Sequence, residues 1–380
     1  AAWNFGTCPY TFVPGTDDVI FINSTPNGSK LTLISSDNQA PVEIKLPFRA
    51  LSLPRALKDG RVILIGGSPK QPSSLIAVHL GTGTYEILVQ SIATVPPADY
   101  LSDPQHIEFP TEGGLTAHAY FYPPTNKDYV APPSERPIVL VKSHSGPTAA
   151  ASTSFNPAIQ FWTSRGFAVC DVDYGGSTGY GRAYRQRLNG NWGVVDVDDC
   201  CNVIKYLSDR DLVDPNRACI DGSSAGGYTT LCALTFRNTF KAGASLYGIG
   251  DLEALATDSH KFEARYLDNL VGPYPERKDL YVERSPINYV DRLSCPVILF
   301  QGDEDKVVTP NQATMMYEAV KKKGVPVALV MFAGEQHGFR KAENIIRCIE
   351  GELYFFSRVF KFQLADKIVP VAIDNLEKTM

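Results

Sequence analysis

The stretch Asp221-Gly222-Ser223-Ser224-Ala225-Gly226-Gly227 follows the apolar run Ala218-Cys219-Ile220 and precedes a helical pattern that reaches Phe236. It fits Gly-x-Ser-x-Gly with Ser224 at the centre, in a strand–turn–helix context. A serine on so sharp a turn projects its hydroxyl into a site. The glycines remove Cβ atoms that would clash where strand and helix approach each other. The start of the following helix offers unsatisfied N–H groups to a developing oxyanion. Gly/Ser-rich turns are common, so the five-residue pattern alone does not decide the fold. The rest of the chain has to.

Around this turn, strand and helix patterns alternate. Apolar runs at 138–141, 167–172, 218–220, 242–246, 296–300 and 327–332 read as strands. Asn156-Pro157 reads as the N-cap and first position of a helix over 158–164, and further helices are predicted over 194–208 and 311–323. A last helix is predicted over 342–360, with Ile345, Ile346, Ile349, Leu353 and Phe356 on one face. Residues 251–292 read as helices and loops rich in aromatics. Repeated βα units predict a mainly parallel sheet flanked by helices.

Residues 1–95 read differently. Short apolar strands at 19–22, 31–34, 42–46, 62–65, 75–78 and 85–89 are separated by turn clusters such as Pro26-Asn27-Gly28 and Asp59-Gly60. A loose rhythm, seen in Asp17-Asp18-Val19-Ile20-Phe21 against Asp59-Gly60-Arg61-Val62-Ile63, suits blades of a β-propeller. About two blades fit this length, and closed propellers need more. A proline-containing linker over 92–103 separates this region from two further predicted strands at 105–109 and 117–122. The expected organisation is a partial propeller-like region, 1–95, and an α/β domain, 96–380.

The chain has 380 residues, 44% hydrophobic and 20% charged, the balance of a globular protein with a sizeable core. A net charge of −5 and the lack of a Lys/Arg cluster exclude a basic nucleic-acid surface. No apolar run reaches membrane-spanning length, and no signal-peptide pattern opens the chain. The start at Ala1 fits a processed chain or part of a longer one. Eight scattered cysteines without a Cys-x-x-Cys pair read as free thiols in a reducing compartment, so a cytoplasmic location is expected. Asn23 and Asn27 match the glycosylation acceptor pattern and oppose this only weakly. No cofactor or metal is expected.

A serine nucleophile needs a base, and the base needs an orienting carboxylate. Open α/β sheets place reactive groups in loops beyond the carboxyl ends of strands. Two such loops qualify: Gln301-Gly302-Asp303-Glu304-Asp305-Lys306-Val307-Val308, and Ala333-Gly334-Glu335-Gln336-His337-Gly338-Phe339. His337 is the best placed of the six histidines. His79, His106 and His118 lie far upstream in or beside strand patterns, and His260 sits in a polar, solvated segment. Asp303, Glu304 and Asp305 all qualify as the carboxylate. The order Ser, Asp, His is that of an α/β-hydrolase. The Ala225 N–H supplies one oxyanion donor. The loop His144-Ser145-Gly146-Pro147 is placed to supply the second, although it reads equally as a plain Gly-Pro turn.

Taken together, these motifs make residues 105–362 resemble the catalytic domain of the prolyl oligopeptidase family of serine peptidases, and most closely its acylaminoacyl-peptidase and dipeptidyl-peptidase branches. His144-Ser145-Gly146-Pro147 resembles the family's His-Gly-Gly-Pro loop, with Ser145 as a departure. Asp173-Tyr174-Gly175-Gly176-Ser177-Thr178-Gly179-Tyr180-Gly181, followed by Trp192-Gly193, resembles its Tyr-Arg-Gly-Ser-x-Gly-Tyr-Gly…Trp-Gly segment. The resemblance selects Asp305 as the acid, three residues after Gly302. It implies an α/β-hydrolase fold behind a propeller that admits short peptides. It also implies that a second polypeptide, or further chain, completes the propeller. Under this reading Tyr228 and Val308 form an apolar pocket for the acyl group, with Tyr228 equally suited to the helix core. Glu263 and Arg265 would bind a substrate terminus or carbonyl, or form a structural ion pair.

Three functions compete: a serine oligopeptidase or exopeptidase on short peptides, an esterase or lipase on the same triad, and a catalytically silent binding protein. Retention of all three triad residue types argues against the last. The β-rich region favours peptides over esters. A homo-oligomer is compatible with either enzyme.

Overall fold

A computed structural model describes residues 6–37, 40–258, 261, 263–293 and 295–376, so His260 and Phe262 lie outside the described residues. The chain divides into two compact units. One comprises 1–106, 120–130 and 151–166. The other comprises 107–119, 131–150 and 167–380.

The first unit carries two four-stranded sheets. In one, β1 (Tyr10–Phe12), β2 (Val19–Thr25), β3 (Gly28–Ile34) and β4 (Val42–Ile44) pair in chain order. In the other, β5 (Ala50–Ala56), β6 (Arg61–Ser68), β7 (Gln71–His79) and β8 (Tyr85–Gln90) do the same. Every neighbour is antiparallel. Alternation sets one face of each strand inward, as in β6, where Val62 and Leu64 are buried and their neighbours are not. Ile20, Leu31, Ile44, Phe48, Leu51, Val62, Leu64, Ile76 and Val78 form a single apolar cluster. These sheets are the blade-like units the sequence predicts. Two strands escape its reading. β1 has three residues, and β5 carries Pro54, which the ladder tolerates because the register shifts between Ser52 and Arg55. All six residues of the edge strand β8 are exposed.

The large sheet contains β9 (Gln105–Pro110), β10 (Thr116–Tyr122), β11 (Val139–Ser143), β12 (Ala168–Asp173), β13 (Ala218–Ser223), β14 (Ala242–Leu246), β15 (Val297–Gly302) and β16 (Val327–Phe332). Its order is β16-β15-β14-β13-β11-β12-β10-β9, and β11 to β16 run parallel. Their near-continuous apolar runs, such as Val297 to Phe300, are buried because helices cover a parallel sheet. The helix Ala225–Phe236 packs on β11, β13 and β14, and the helix Ala342–Phe360 on β14 and β15. This last helix departs from its predicted face. Ile345 and Ile346 are about half exposed, and burial begins at Cys348 and continues through Glu352, Leu353, Phe355 and Phe356. An apolar stripe in its first turn therefore does not mark the core.

The strand order reverses around β11, with β12 on one side and β13 on the other. Ser143 is level with Gly222, Ser223 with Leu246, and Gly302 with Phe332. The loops that follow β11, β13, β14, β15 and β16 consequently leave one edge of the sheet at one height. That edge, at a switch point, is where open α/β sheets collect ligands.

Candidate active site

Ser224 stands between β13 and the helix Ala225–Phe236 with φ 55° and ψ −117°, an unfavourable conformation for a residue with a Cβ. Such strain costs about 1–3 kcal/mol and persists only where the surroundings enforce it. Here the enforcement is steric. A Cβ on Gly222 would lie 2.3 Å from the Gly226 backbone, and one on Gly227 2.7 Å from Gly248 Cα. The Ser224 N–H donates to the Leu246 carbonyl (2.9 Å), which fixes the turn against β14.

His337 brings the other two loops to this serine. Its Nε2 lies 2.8 Å from Ser224 Oγ and its Nδ1 2.7 Å from Asp305 Oδ2. The Asp305 carboxylate is buried, and its Oδ1 accepts the N–H groups of Val307 (2.8 Å) and Val308 (3.0 Å). Gln301 Nε2 donates to Asp305 Oδ2 (3.3 Å) and to the Val308 carbonyl (3.1 Å). Of the three acids left open by the residue pattern, Asp305 alone meets the histidine. Asp303 instead accepts the Gly334 N–H at 2.7 Å, and Glu304 is exposed. The acid and histidine loops are knitted together: the Glu304 N–H donates to the Glu335 carbonyl, and a Cβ on Gly302 would lie 2.4 Å from that same oxygen. The Tyr247 ring packs edge-on against His337, with centroids 4.9 Å apart.

Ala225 is the first residue of its helix, so its N–H has no intrahelical acceptor. The loop after β11 lies alongside, since β11 and β13 are neighbours. No backbone acceptor among the described residues takes the Ser145 N–H. The His144 side chain faces away from this role. Its Nδ1 lies 2.8 Å from the Ser145 carbonyl and its Nε2 2.7 Å from Ser177 Oγ. Burial pushes its pKa down to about 4, partly offset by the Ser145 carbonyl, so the ring is neutral at pH 7. A neutral ring facing a carbonyl carries its proton on Nδ1, and Nε2 accepts from Ser177. The Tyr174 ring stacks on His144, and its hydroxyl lies 3.0 Å from the His144 and Pro147 carbonyls.

An open cleft adjoins Ser224. Its walls are Gly146, Pro147, Trp192, Ala225, Ile249, Leu255, Glu263, Tyr266, Leu267, Val307 and Val308. Val308 and Glu263 line this cleft, and Tyr228 does not. It is wholly buried, its hydroxyl donates to the Arg284 carbonyl at 2.8 Å, and it packs under Trp192, so it serves the helix core. Arg265 is largely exposed and pairs with Asp268 at 3.0 Å, outside the cleft. Sequence reasoning did not assign Ile249, Leu255, Tyr266 or Leu267 to the cleft. Ile249 comes from the loop after β14 and the others from the short helices Leu252–Asp258 and Tyr266–Leu270, whose patterns carry no local sign of what they face. Gln301 and Tyr247 were also missed, although each abuts the end of a predicted strand.

Among the described residues no cluster of three or more His, Cys, Asp or Glu is arranged to hold a metal ion. None of their helices is long and apolar enough to cross a membrane. All eight cysteines are free.

The parallel sheet, the strained serine turn and the Ser–His–Asp chain of hydrogen bonds define an α/β-hydrolase fold with a serine-hydrolase type of site. Comparison with known proteins agrees. Residues 153–363 match the model of the prolyl oligopeptidase family, and the chain belongs to that family. Among solved structures it is similar to a puromycin-hydrolyzing peptidase of Mycobacterium tuberculosis, at 39% identity and TM-score 0.94, covering 98% of this chain and 56% of that one. Among curated proteins it is 31% identical over 214 residues to dipeptidyl aminopeptidase BIII of Pseudoxanthomonas mexicana, covering 55% of this chain and 31% of that one. It is 29% identical over 217 residues to an acylamino-acid-releasing enzyme of Arabidopsis thaliana, covering 53% and 27%. The chain thus spans about a third of the length of these curated relatives.

Proposed function

We propose that this chain is a serine peptidase that hydrolyses short peptides through an acyl-enzyme on Ser224. The observation that carries the reading is the position of His337, within hydrogen-bond reach of Ser224 Oγ on one side and Asp305 on the other. His337 takes the Ser224 proton as Oγ attacks the scissile carbonyl, and Asp305 holds the ring with Nδ1 protonated. The N–H groups of Ala225 and Ser145 receive the oxyanion. His337 then protonates the leaving amine, and water, deprotonated by the same ring, releases the acyl group. The cleft accepts an apolar residue on the acyl side, against Trp192, Ile249, Leu255, Leu267 and Val308. Glu263, an acidic residue of the cleft wall, is placed to meet a substrate terminus or carbonyl.

Residues 96–380 form the catalytic domain in this reading, and 1–95 a part of a propeller. A further blade, from more chain or a second polypeptide, covers the exposed β8. The eight free thiols fit a cytoplasmic location.

A fluorophosphonate probe tests the centre. Wild-type protein labels and Ser224→Ala does not; no labelling of the wild type, or equal labelling of both, overturns the proposal. Chromogenic aminoacyl, dipeptidyl, N-acetylaminoacyl and ester substrates then rank the acyl groups, and preference for the plain ester would favour an esterase.

A further inference from the structure

The family's His-Gly-Gly-Pro pattern has a glycine where this chain has Ser145, and the hydroxyl so gained is not idle. Ser145 Oγ lies 2.9 Å from the Ser223 carbonyl and 2.6 Å from Ser223 Oγ. The two contacts assign the protons: Ser145 Oγ–H donates to the carbonyl, and Ser223 Oγ–H donates to Ser145 Oγ. Ser223 is the residue immediately before Ser224. The Ser145 side chain therefore ties the loop after β11 directly to the turn that carries the serine.

We propose that the Ser145–Ser223 pair is a positioning device that sets the spacing of the two oxyanion donors. This rests on the serine-peptidase reading above. The two donors belong to different loops, Ala225 N–H on the turn after β13 and Ser145 N–H on the loop after β11. On the far side of the β11 loop, Tyr174 is bonded to the His144 and Pro147 carbonyls. That contact restrains the His144–Ser145 peptide, which carries the Ser145 N–H, from its carbonyl end. The Ser145 hydroxyl adds an attachment to Ser223, the residue before Ser224, beside those that Tyr174 and the His144 ring already make. An oxyanion hole works because its dipoles are already aimed before charge develops. The added attachment acts on the transition state and leaves substrate docking in the apolar cleft unchanged.

The test uses Ser145→Ala, Ser223→Ala and the double variant, with Ser145→Thr as the conservative control. Ser145→Ala keeps the backbone N–H and loses only the tie. Loss of one to two neutral hydrogen bonds corresponds to a fall of about 3- to 10-fold in kcat/KM. The expected fall lies in kcat with KM unchanged, and a peptide boronate resembling the tetrahedral state loses affinity by a similar factor. The double variant is no worse than either single one, and Ser145→Thr recovers activity. Unchanged kcat in Ser145→Ala, a fall confined to KM, unchanged boronate affinity, or multiplicative losses in the double variant would each overturn the proposal. Fluorophosphonate labelling of wild type separates this failure from failure of the peptidase reading, and an unchanged melting temperature in the variants excludes simple unfolding.

Discussion

Gly226 lies against the carbonyl of Ser143, so closely that a Cβ built on it would stand 2.0 Å from that oxygen. The helix that follows Ser224 thus rests directly on the end of β11, and neither backbone has room to yield. Gly226→Ala should destabilise the fold by about 3 kcal/mol or more, since overpacking against backbone cannot be relieved by a rotamer change. Urea denaturation of the variant beside Ser224→Ala, which leaves this contact intact, measures the difference.

Asp305→Asn should fold normally and lose about 10⁴-fold in kcat. The amide oxygen can still accept the Val307 and Val308 N–H groups, but the amide NH2 then faces His337 Nδ1 and favours the wrong tautomer. Steady-state kinetics on an aminoacyl chromogenic substrate reads the loss. Circular dichroism and the melting temperature should match the wild type.

The cleft should discriminate by polarity. Leu255→Lys places an ammonium in a wall otherwise shared with Ile249, Leu267 and Val308. Burying part of an apolar acyl side chain against it forfeits about 1–3 kcal/mol, or roughly 10- to 100-fold in kcat/KM for phenylalanyl and leucyl substrates. A small fluorophosphonate, which does not reach into the cleft, should label Ser224 at close to the wild-type rate.

Two buried groups give stability opposite dependences on pH. His144 titrates near 6.5 when unfolded and is pushed down to about 4 by burial in the fold. In that window the unfolded state binds the extra proton, so stability present above pH 6.5 is lost as pH falls toward 4. Asp196, wholly buried beneath the serine helix, is raised to about 6 by burial, against the opposing hydrogen bonds from Thr229 and Gly193. Its folded state holds the proton, so its contribution is full below about pH 4 and is lost as pH rises through 6. Denaturation midpoints from pH 4 to 7 should climb more steeply with pH in Asp196→Asn than in the wild type, and less steeply in His144→Gln.

Strand β8 leaves Ile87, Leu88 and Val89 between 44% and 60% exposed on an open sheet edge. Open apolar edges recruit other strands. This chain should self-associate with rising concentration, and Val89→Lys with Ile87→Lys should suppress it in sedimentation velocity without altering fluorophosphonate labelling.

How legible all this was in the sequence depends on range. The turn at Ser224 was readable because strand, glycines and helix lie within a few residues, and the order Ser, Asp, His could be checked along the chain. The small sheets were readable where alternation was clean and were missed at β5, where Pro54 breaks the pattern that a register shift repairs. Asp305 was separable from Asp303 and Glu304 only by resemblance, since a loop of three acids has no periodicity. The cleft was least legible. Tyr228 sits one turn after Ser224 yet faces inward, while Leu255 and Leu267, more than 25 residues further along, reach the site by tertiary packing alone.

The three arms of the site hang from β13, β15 and β16, whose ends are held level by parallel ladders. The sheet therefore acts as a vernier. An offset of about 1 Å between the ends of β15 and β16, well short of the roughly 3.3 Å residue repeat, would already part Asp305 from His337 and cost on the order of 100-fold in turnover. Such an offset leaves the ladders paired, so turnover falls before spectroscopy registers any loss of structure. For this chain, catalysis is the finer gauge of whether folding has reached the correct alignment.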